Sequence, residues 1–265
     1  MQVDFVSDLH LNHQIPFTHN QEKWEYRTKA WTEKLMESAK GEILVVAGDF
    51  SEWNRQAVWF LEEASLYYEK VFFVTGNHDY YLLTKSRMRK YPDSKARQMD
   101  LLQRASNIPN VQPLCREVVH YKGKVIAGDS LWYLPVTSED WAFFINVSND
   151  SNYVFIKEVN TFEFADKKDE ARYLYKEAMD WYDTLKNEQI DLMISHIPPI
   201  HPPFSPYERN ACYDCPVSFL AAPHWVCGHQ HVQGHFKKAG TNFWMNAIGY
   251  PDENLELTLK TFTLQ

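Results

Sequence analysis

Five short segments of this chain carry side chains that ligate metals: Asp8-Leu9-His10, Gly48-Asp49, Gly76-Asn77-His78-Asp79, Ser195-His196 and Gly228-His229-Gln230-His231. Imidazole nitrogens mixed with carboxylate and amide oxygens suit Mn, Fe or Zn better than Ca or Mg. Taken singly the pieces are weak. A D-x-H tripeptide is a common accident, and Gly-Asp is ordinary turn chemistry. Two histidines at i and i+2 after a glycine turn say more. Gly-Asn-His-Asp directly after a β-branched and aromatic run is the most distinctive, and the five in this order are not explained by folding alone.

Each segment follows a run that reads as a strand: 1–7, 43–47, 71–75, 192–195, and the short apolar 225–227 stopped by Gly228. A further strand is expected at 125–127, and 256–262 alternates well enough for a closing strand. Helical stripes lie between them. Trp24, Ala30, Trp31, Leu35 and Ala39 form one, and Ala57, Phe60, Leu61, Ala64 and Tyr68 another. The strongest helix is expected over 168–187, with Ala171, Leu174, Ala178, Trp181 and Leu185 on one face. Such alternation predicts an α/β fold. Ligands of open α/β sheets bind outside the carboxyl ends of the strands, so five strand ends would deliver their Asp, Asn and His to one crevice.

Composition narrows the function classes. The 265 residues hold 27 Lys+Arg against 35 Asp+Glu, a formal charge of −8, which argues against the basic footprint of a duplex nucleic-acid binder. Hydrophobic residues at 45% and aromatics at 15% exclude a disordered chain. No apolar run approaches the roughly 20 residues of a membrane span. The first residues, MQVDFVSDLHL, lack the basic start of a secretory signal, and four cysteines do not make a disulfide framework, so a cytoplasmic protein is expected. Cys212 and Cys215 have zinc-ligand spacing, but with only Cys227 or His224 as local partners they fall short of four ligands. No linker or repeat divides the chain, which reads as a single domain over 1–265 with insertions at 130–166 and 197–216. The second of these holds prolines at 198, 199, 202, 203, 206 and 216 and must be an ordered loop.

The ordered motifs D-x-H, G-D, G-N-H-D, a lone His and G-H-x-H, spanning Asp8 to His231, resemble the calcineurin-like metallophosphoesterase superfamily in its Gly-Asn-His-Asp subgroup. Gly128-Asp129-Ser130-Leu131-Trp132 and Asn246-Ala247-Ile248-Gly249-Tyr250 are similar to small bacterial and phage-type members. The resemblance implies a four-layered α/β/β/α sandwich of two mixed sheets flanked by helices, with two divalent metal ions (Mn, Fe or Zn, with Mn favoured in vitro). It assigns Asp8, His10 and His231 to one metal and Asn77, His196 and His229 to the other, with Asp49 bridging both. The phosphoprotein phosphatases of the superfamily continue the second motif as G-D-x-x-D-R-G and the third as G-N-H-E. This chain reads Gly48-Asp49-Phe50-Ser51-Glu52-Trp53 and ends the third motif in Asp79, so the phosphate-gripping Arg of that branch has no counterpart.

The implied activity is hydrolysis of a small phosphomonoester or phosphodiester by a two-metal centre with a bridging hydroxide. His78 is not needed as a ligand and is free to protonate the departing alkoxide, with Asp79 expected to orient its ring. Two alternatives remain: a nuclease acting on single-stranded nucleic acid, which the charge disfavours, and a protein-interaction scaffold, which the full ligand set disfavours. His13, His19 and His201 read as solvated loop residues, His120 and His235 as strand-surface residues, and Asn246 and Tyr250 as either rim or turn.

Overall fold

The computed structural model describes residues 1–159 and 168–265. Its strands are β1 (Gln2–Val6), β2 (Ile43–Ala47), β3 (Lys70–Val74), β4 (Val111–Pro113), β5 (Glu117–Tyr121), β6 (Lys124–Asp129), β7 (Leu192–Ser195), β8 (His224–Cys227), β9 (Gln233–Lys238), β10 (Thr241–Asn246) and β11 (Lys260–Thr263). One sheet has the order β11-β1-β2-β3-β4, parallel except for β11. The other has the order β5-β6-β7-β8-β10-β9, parallel at its centre with β5 and β9 antiparallel at its edges.

Side chains of a strand alternate between faces, so a strand that is apolar throughout must be covered on both. Val3, Phe5, Ile43, Val45 and Ala47 of the first sheet pack against Leu192, Ile194 and Val226 of the second, forming the layer between the sheets. The alternate residues Leu44, Val46, Val71 and Phe73 turn outward beneath helices Gln21–Met36, Asn54–Ala64 and Ser94–Ala105. On the far side, Met193, Trp225 and Cys227 pack under helix Lys168–Thr184. The result is the expected α/β/β/α sandwich of two mixed sheets. No described helix is long and apolar enough to cross a membrane.

Several local expectations shift. Helix Lys168–Thr184 runs on into a 3-10 turn at Leu185–Asn187, and its buried stripe is Ala171, Leu174, Ala178, Tyr182 and Leu185. Tyr182 takes the place expected for Trp181, which is half-buried. The closing strand is only β11, because 256–259 makes no ladder. Strands β4 and β10 lie outside the runs expected from the sequence, and β5 and β9 are the strands whose surfaces carry His120 and His235. Both β5 and β9 are sheet edges, and His120 and His235 are exposed on them as expected. Segment 197–216 holds no helix or strand, as expected of its prolines. Segment 130–166 contains the short helices Ser138–Asn146 and Asp150–Tyr153, and its part 160–166 lies outside the described residues.

The carboxyl ends of the two sheets are tied together. Ser7 N donates to Asn246 O and Ile248 N donates to Ser7 O, both at 3.0 Å, which joins the end of β1 to the end of β10. Asn246 is therefore a framework residue. It is fully buried, and its Nδ2 donates to the carbonyls of Phe5 and Thr258.

Candidate metal centre

The loops after β1, β2, β3, β7 and β8 meet at this tied end. Their backbone is strained there: Asp8, His10, Asp49, His229 and His231 have φ of 51°, 40°, 56°, 72° and 47°. That left-handed region is uncommon for residues with a Cβ and persists only where the surroundings over-determine it. Cross-loop hydrogen bonds supply the constraint. Asp8 N donates to Gly48 O and His10 N to Asp49 O, both at 3.0 Å. His229 N donates to Asp8 Oδ1 and His78 N to Asp49 Oδ1, both at 2.9 Å. Two glycines make room for the carboxylates. A Cβ on Gly76 would lie 2.1 Å from Asp49 Oδ1, and one on Gly228 would lie 2.7 Å from Asp8 Oδ2.

All seven candidate ligands converge. On one side, His10 Nε2 lies 2.9 Å from His231 Nε2, and Asp8 Oδ1 lies 3.7 Å from the same His231 nitrogen. On the other, Asn77 Oδ1 lies 2.9 Å from His196 Nε2 and 3.2 Å from His229 Nδ1. Between them stands Asp49. Its Oδ1 is occupied by the His78 amide, while Oδ2 lies 3.7 Å from His10 Nε2 and 3.4 Å from His196 Nε2. One oxygen therefore faces both groups.

Neighbouring acceptors decide which nitrogen each ring presents. His196 Nδ1–H donates to Ala47 O at 2.8 Å, leaving Nε2 to face Asp49. His229 Nε2–H donates to Cys212 O at 2.9 Å, leaving Nδ1 to face Asn77. His231 Nδ1–H donates to the carboxylate of Glu253, 2.7 Å away, which turns Nε2 inward. Burial, reinforced by the nearby His196, lowers the His229 pKa to about 4 and keeps that ring neutral. At His196 burial also opposes the charge, but Asp49 outweighs it and raises the pKa to about 9.

The chemistry of this donor set suits metal ions. Asp8 and Asp49 are essentially unexposed, yet among the described residues their ion-pair partners are histidines alone. Buried carboxylates are costly unless a cation compensates them. The potential ligand groups Asp8/His10/His231 and Asp8/Asp49/His196 each bring their donor atoms within 4.8 Å of one another. His10, Asp49 and His78 do so as well, so the ring of His78 borders the same space.

One expected role needs correction. Asp79 does not orient the His78 ring. Its Oδ2 accepts from Gly76 N at 2.9 Å and Asp49 N at 3.1 Å, so it clasps the loops after β2 and β3. The carboxylate beside the ring is Glu52, whose Oε1 lies 3.8 Å from His78 Nδ1. Burial opposes the charge of Glu52, but His13, His78 and Arg87 together lower its pKa to about 2. The ring of His78 also packs 4.3 Å from Tyr81 and 4.7 Å from His10, centroid to centroid. Burial disfavours its imidazolium, yet Asp49, Glu52 and Asp150 raise its pKa.

Four contributors were missed or left open. Asp150 accepts from Asn77 Nδ2 at 2.8 Å and from the hydroxyls of Tyr81 and Tyr133, which points the Asn77 carbonyl at His196 and His229. Glu253 orients His231, and Glu52 sits beside His78. Tyr250 lies on the centre, its ring 4.5 Å from His10 and 4.9 Å from His231. The only sequence signal for Glu52 was an acid three residues after Asp49; for Asp150 and Glu253 there was none. His13 is 45% exposed at its side chain, but Nε2 lies 3.9 Å from Glu52 Oε1, so it edges the site. Cys212 and Cys215 are buried free thiols and belong to no described metal-ligand group; Cys212 contributes its carbonyl.

Orientation by outer residues carries a measurable weight. Glu253→Gln and Asp150→Asn are each expected to weaken metal binding about 10–100-fold, the usual worth of such partners. Calorimetric titration of the metal-free protein reads this, and affinities equal to that of the unmodified chain would show that the two residues do not support the ligands.

Two facing mixed sheets between helices, with Asp, Asn and His at the strand ends around a shared carboxylate, define a metallophosphoesterase architecture. The chain belongs to the calcineurin-like phosphoesterase family, whose model matches residues 1–233. It is 24% identical over 238 aligned residues, covering 79% of each chain, to the uncharacterized protein L509 of Acanthamoeba polyphaga mimivirus. Among solved structures it is similar to the phosphopantetheinyl hydrolase PptH from Mycobacterium tuberculosis, with a TM-score of 0.64 and 19% identity over 95% of this chain and 90% of that one. A second solved structure aligns over 100% of this chain and 99% of its own with a TM-score of 0.54 and 13% identity. At these identities the two structures share the fold.

Proposed function

We propose that the protein hydrolyses phosphate esters at a centre of two divalent cations. Asp8, His10 and His231 would hold one ion and Asn77, His196 and His229 the other, with Asp49 shared. The observation that carries this reading is the single Asp49 oxygen facing His10 and His196, with a separate donor set on either side. When bound, such ions neutralise the phosphoryl oxygens and make water a nucleophile near neutral pH. The chain supplies the rest. His78, whose charged form Asp49 and Glu52 favour against burial, gives a proton to the leaving oxygen. Tyr250 packs over His10 and His231 and limits their exposure to solvent. Asp150, Glu253 and the carbonyls of Ala47 and Cys212 hold the ligands in register before substrate arrives, so little reorganisation is needed.

Substrate choice is assigned to segments 130–166 and 197–216. A pocket of about 200 Å³ beside Asn77 and His229 is lined by Tyr133, Phe143 and Asp150 from 130–166 and by Cys212 and Tyr213 from 197–216. Tyr213→Ala and Phe143→Ala are expected to alter the ranking of phosphoesters by about tenfold in relative kcat/KM, since small changes in apolar contact discriminate on that scale, while metal content stays the same. A constant ranking would move specificity elsewhere.

The direct test is a panel of phosphoesters assayed with Mn and with EDTA. It should include p-nitrophenyl phosphate, bis-p-nitrophenyl phosphate, a single-stranded oligonucleotide and a phosphopantetheinyl protein, the last prompted by the name of the structural neighbour. Metal-dependent hydrolysis of a small ester is the expected result. Hydrolysis of the oligonucleotide alone would favour a nuclease, and no hydrolysis at full metal loading would overturn the reading.

A further inference from the structure

Beside the proposed metal centre the chain buries a cation to which it gives no hydrogen bond among the described residues. Arg87, in helix Lys85–Lys90, is 7% exposed, and its guanidinium lies 4.2 Å over the ring of Trp53, which in turn stacks on Phe17. Among the described residues that guanidinium makes no hydrogen bond, and its buried Nη1 is unpartnered. The nearest carboxylate oxygen, Glu52 Oε2, is 4.0 Å away, beyond hydrogen-bonding reach. Burying a guanidinium without hydrogen bonds is costly, and one long-range carboxylate contact leaves its donors open to a further anion.

Arg87 lines a pocket of about 290 Å³ that also takes in Arg55, Lys90, Arg97 and Arg104, with Glu52 as its one acid. Lys90 and Arg104 share Asp100 at 3.8 and 2.9 Å. Among the described residues Arg97 and Arg55 donate hydrogen bonds to neutral acceptors alone: Arg97 to the carbonyls of His78 and Ser51, and Arg55 to Gln21 Oε1. In a chain of net charge −8 this is a local positive field. Its size lies at the small end of ligand pockets and suits one group of a larger ligand. A single carboxylate separates it from the centre, because Glu52 faces His78 with Oε1 and Arg87 with Oε2.

We infer that this pocket seats a second phosphate carried by the leaving portion of the substrate, so that the preferred substrates are phosphoesters bearing another phosphate beyond the scissile oxygen. The inference rests on the proposed phosphoesterase reading, in which the leaving oxygen departs on the His78 side.

Binding tests it apart from catalysis. The Mn-loaded protein is titrated calorimetrically with methylphosphonate, with straight-chain alkylphosphonates of three to six carbons and with the matching α,ω-bisphosphonates. At one chain length the bisphosphonate should bind about ten- to a hundredfold more tightly than its monophosphonate, the range of a charge-assisted contact to arginine. Arg87→Ala should reduce that ratio to the twofold statistical advantage of having two ends. A ratio of two at every length in the unmodified protein overturns the subsite, whatever the variant does, and so does a ratio that survives Arg87→Ala. Binding of methylphosphonate with no gain from the second group leaves the phosphoesterase reading standing and removes only the subsite. Failure of every compound to bind overturns both.

Discussion

Asp49→Asn protein is expected to lose both metal ions and about 10³-fold or more of its phosphoesterase rate. The carboxylate oxygen Oδ2 is the one donor that faces both halves of the centre, and it is buried with histidine partners alone. An amide carries no charge to hold two cations together, and metal-derived stabilisation of transition-state charge is worth several kcal/mol. The geometry of the change is mild, since Oδ1 accepts a backbone hydrogen bond from His78 that an Asn oxygen also accepts. Elemental analysis of the purified variant, with circular dichroism as the check on folding, decides the matter. Two ions retained per chain would remove Asp49 from the shared position.

The other large effect separates the proton donor from the ligands. His78→Gln should keep both ions and lose about 10²–10⁴-fold on an alkyl phosphoester, whose leaving group needs a proton. On a p-nitrophenyl ester the loss should be much smaller, because a stabilised phenolate departs without one. Asp8→Asn should depress both substrates alike. The measurement is the ratio of variant to unmodified rate for the two esters at saturating metal, with chemistry limiting both. Equal losses, or a missing metal ion, would remove His78 from the acid role, and a missing ion would point to ligation by its ring, which borders His10 and Asp49.

Much of the candidate centre is legible because its candidate ligands are local signatures. Asp8-Leu9-His10 or Gly76-Asn77-His78 is written within a few residues, directly behind an apolar run whose strand character is plain. The residues that aim those ligands are not written that way. Asp150 reaches Asn77 across 73 positions and comes from a segment with no regular pattern. Glu253 follows a turn whose Gly-Tyr-Pro sequence is sufficient to explain itself. Asp79 was misread for the opposite reason. Adjacency to His78 suggested that it serves the ring, but in the 3-10 turn Asn77–Tyr80 its side chain points back at the amides of Gly76 and Asp49. Arg87 lies among Lys85, Arg89 and Lys90 with no pattern to mark it, and its packing against Trp53 shows it buried. The edge strands β5 and β9 are legible only through His120 and His235, because exposed polar positions interrupt their alternation.

The protein is expected to hydrolyse phosphoesters only when two divalent ions are held together. Metal-free protein titrated with Mn, with bound metal and p-nitrophenyl phosphate hydrolysis followed in the same samples, tests it most directly. Hydrolysis should stay low through the first equivalent and rise with the second, levelling off at two ions per chain. Full activity at one equivalent, or no activity with two ions bound, would contradict it.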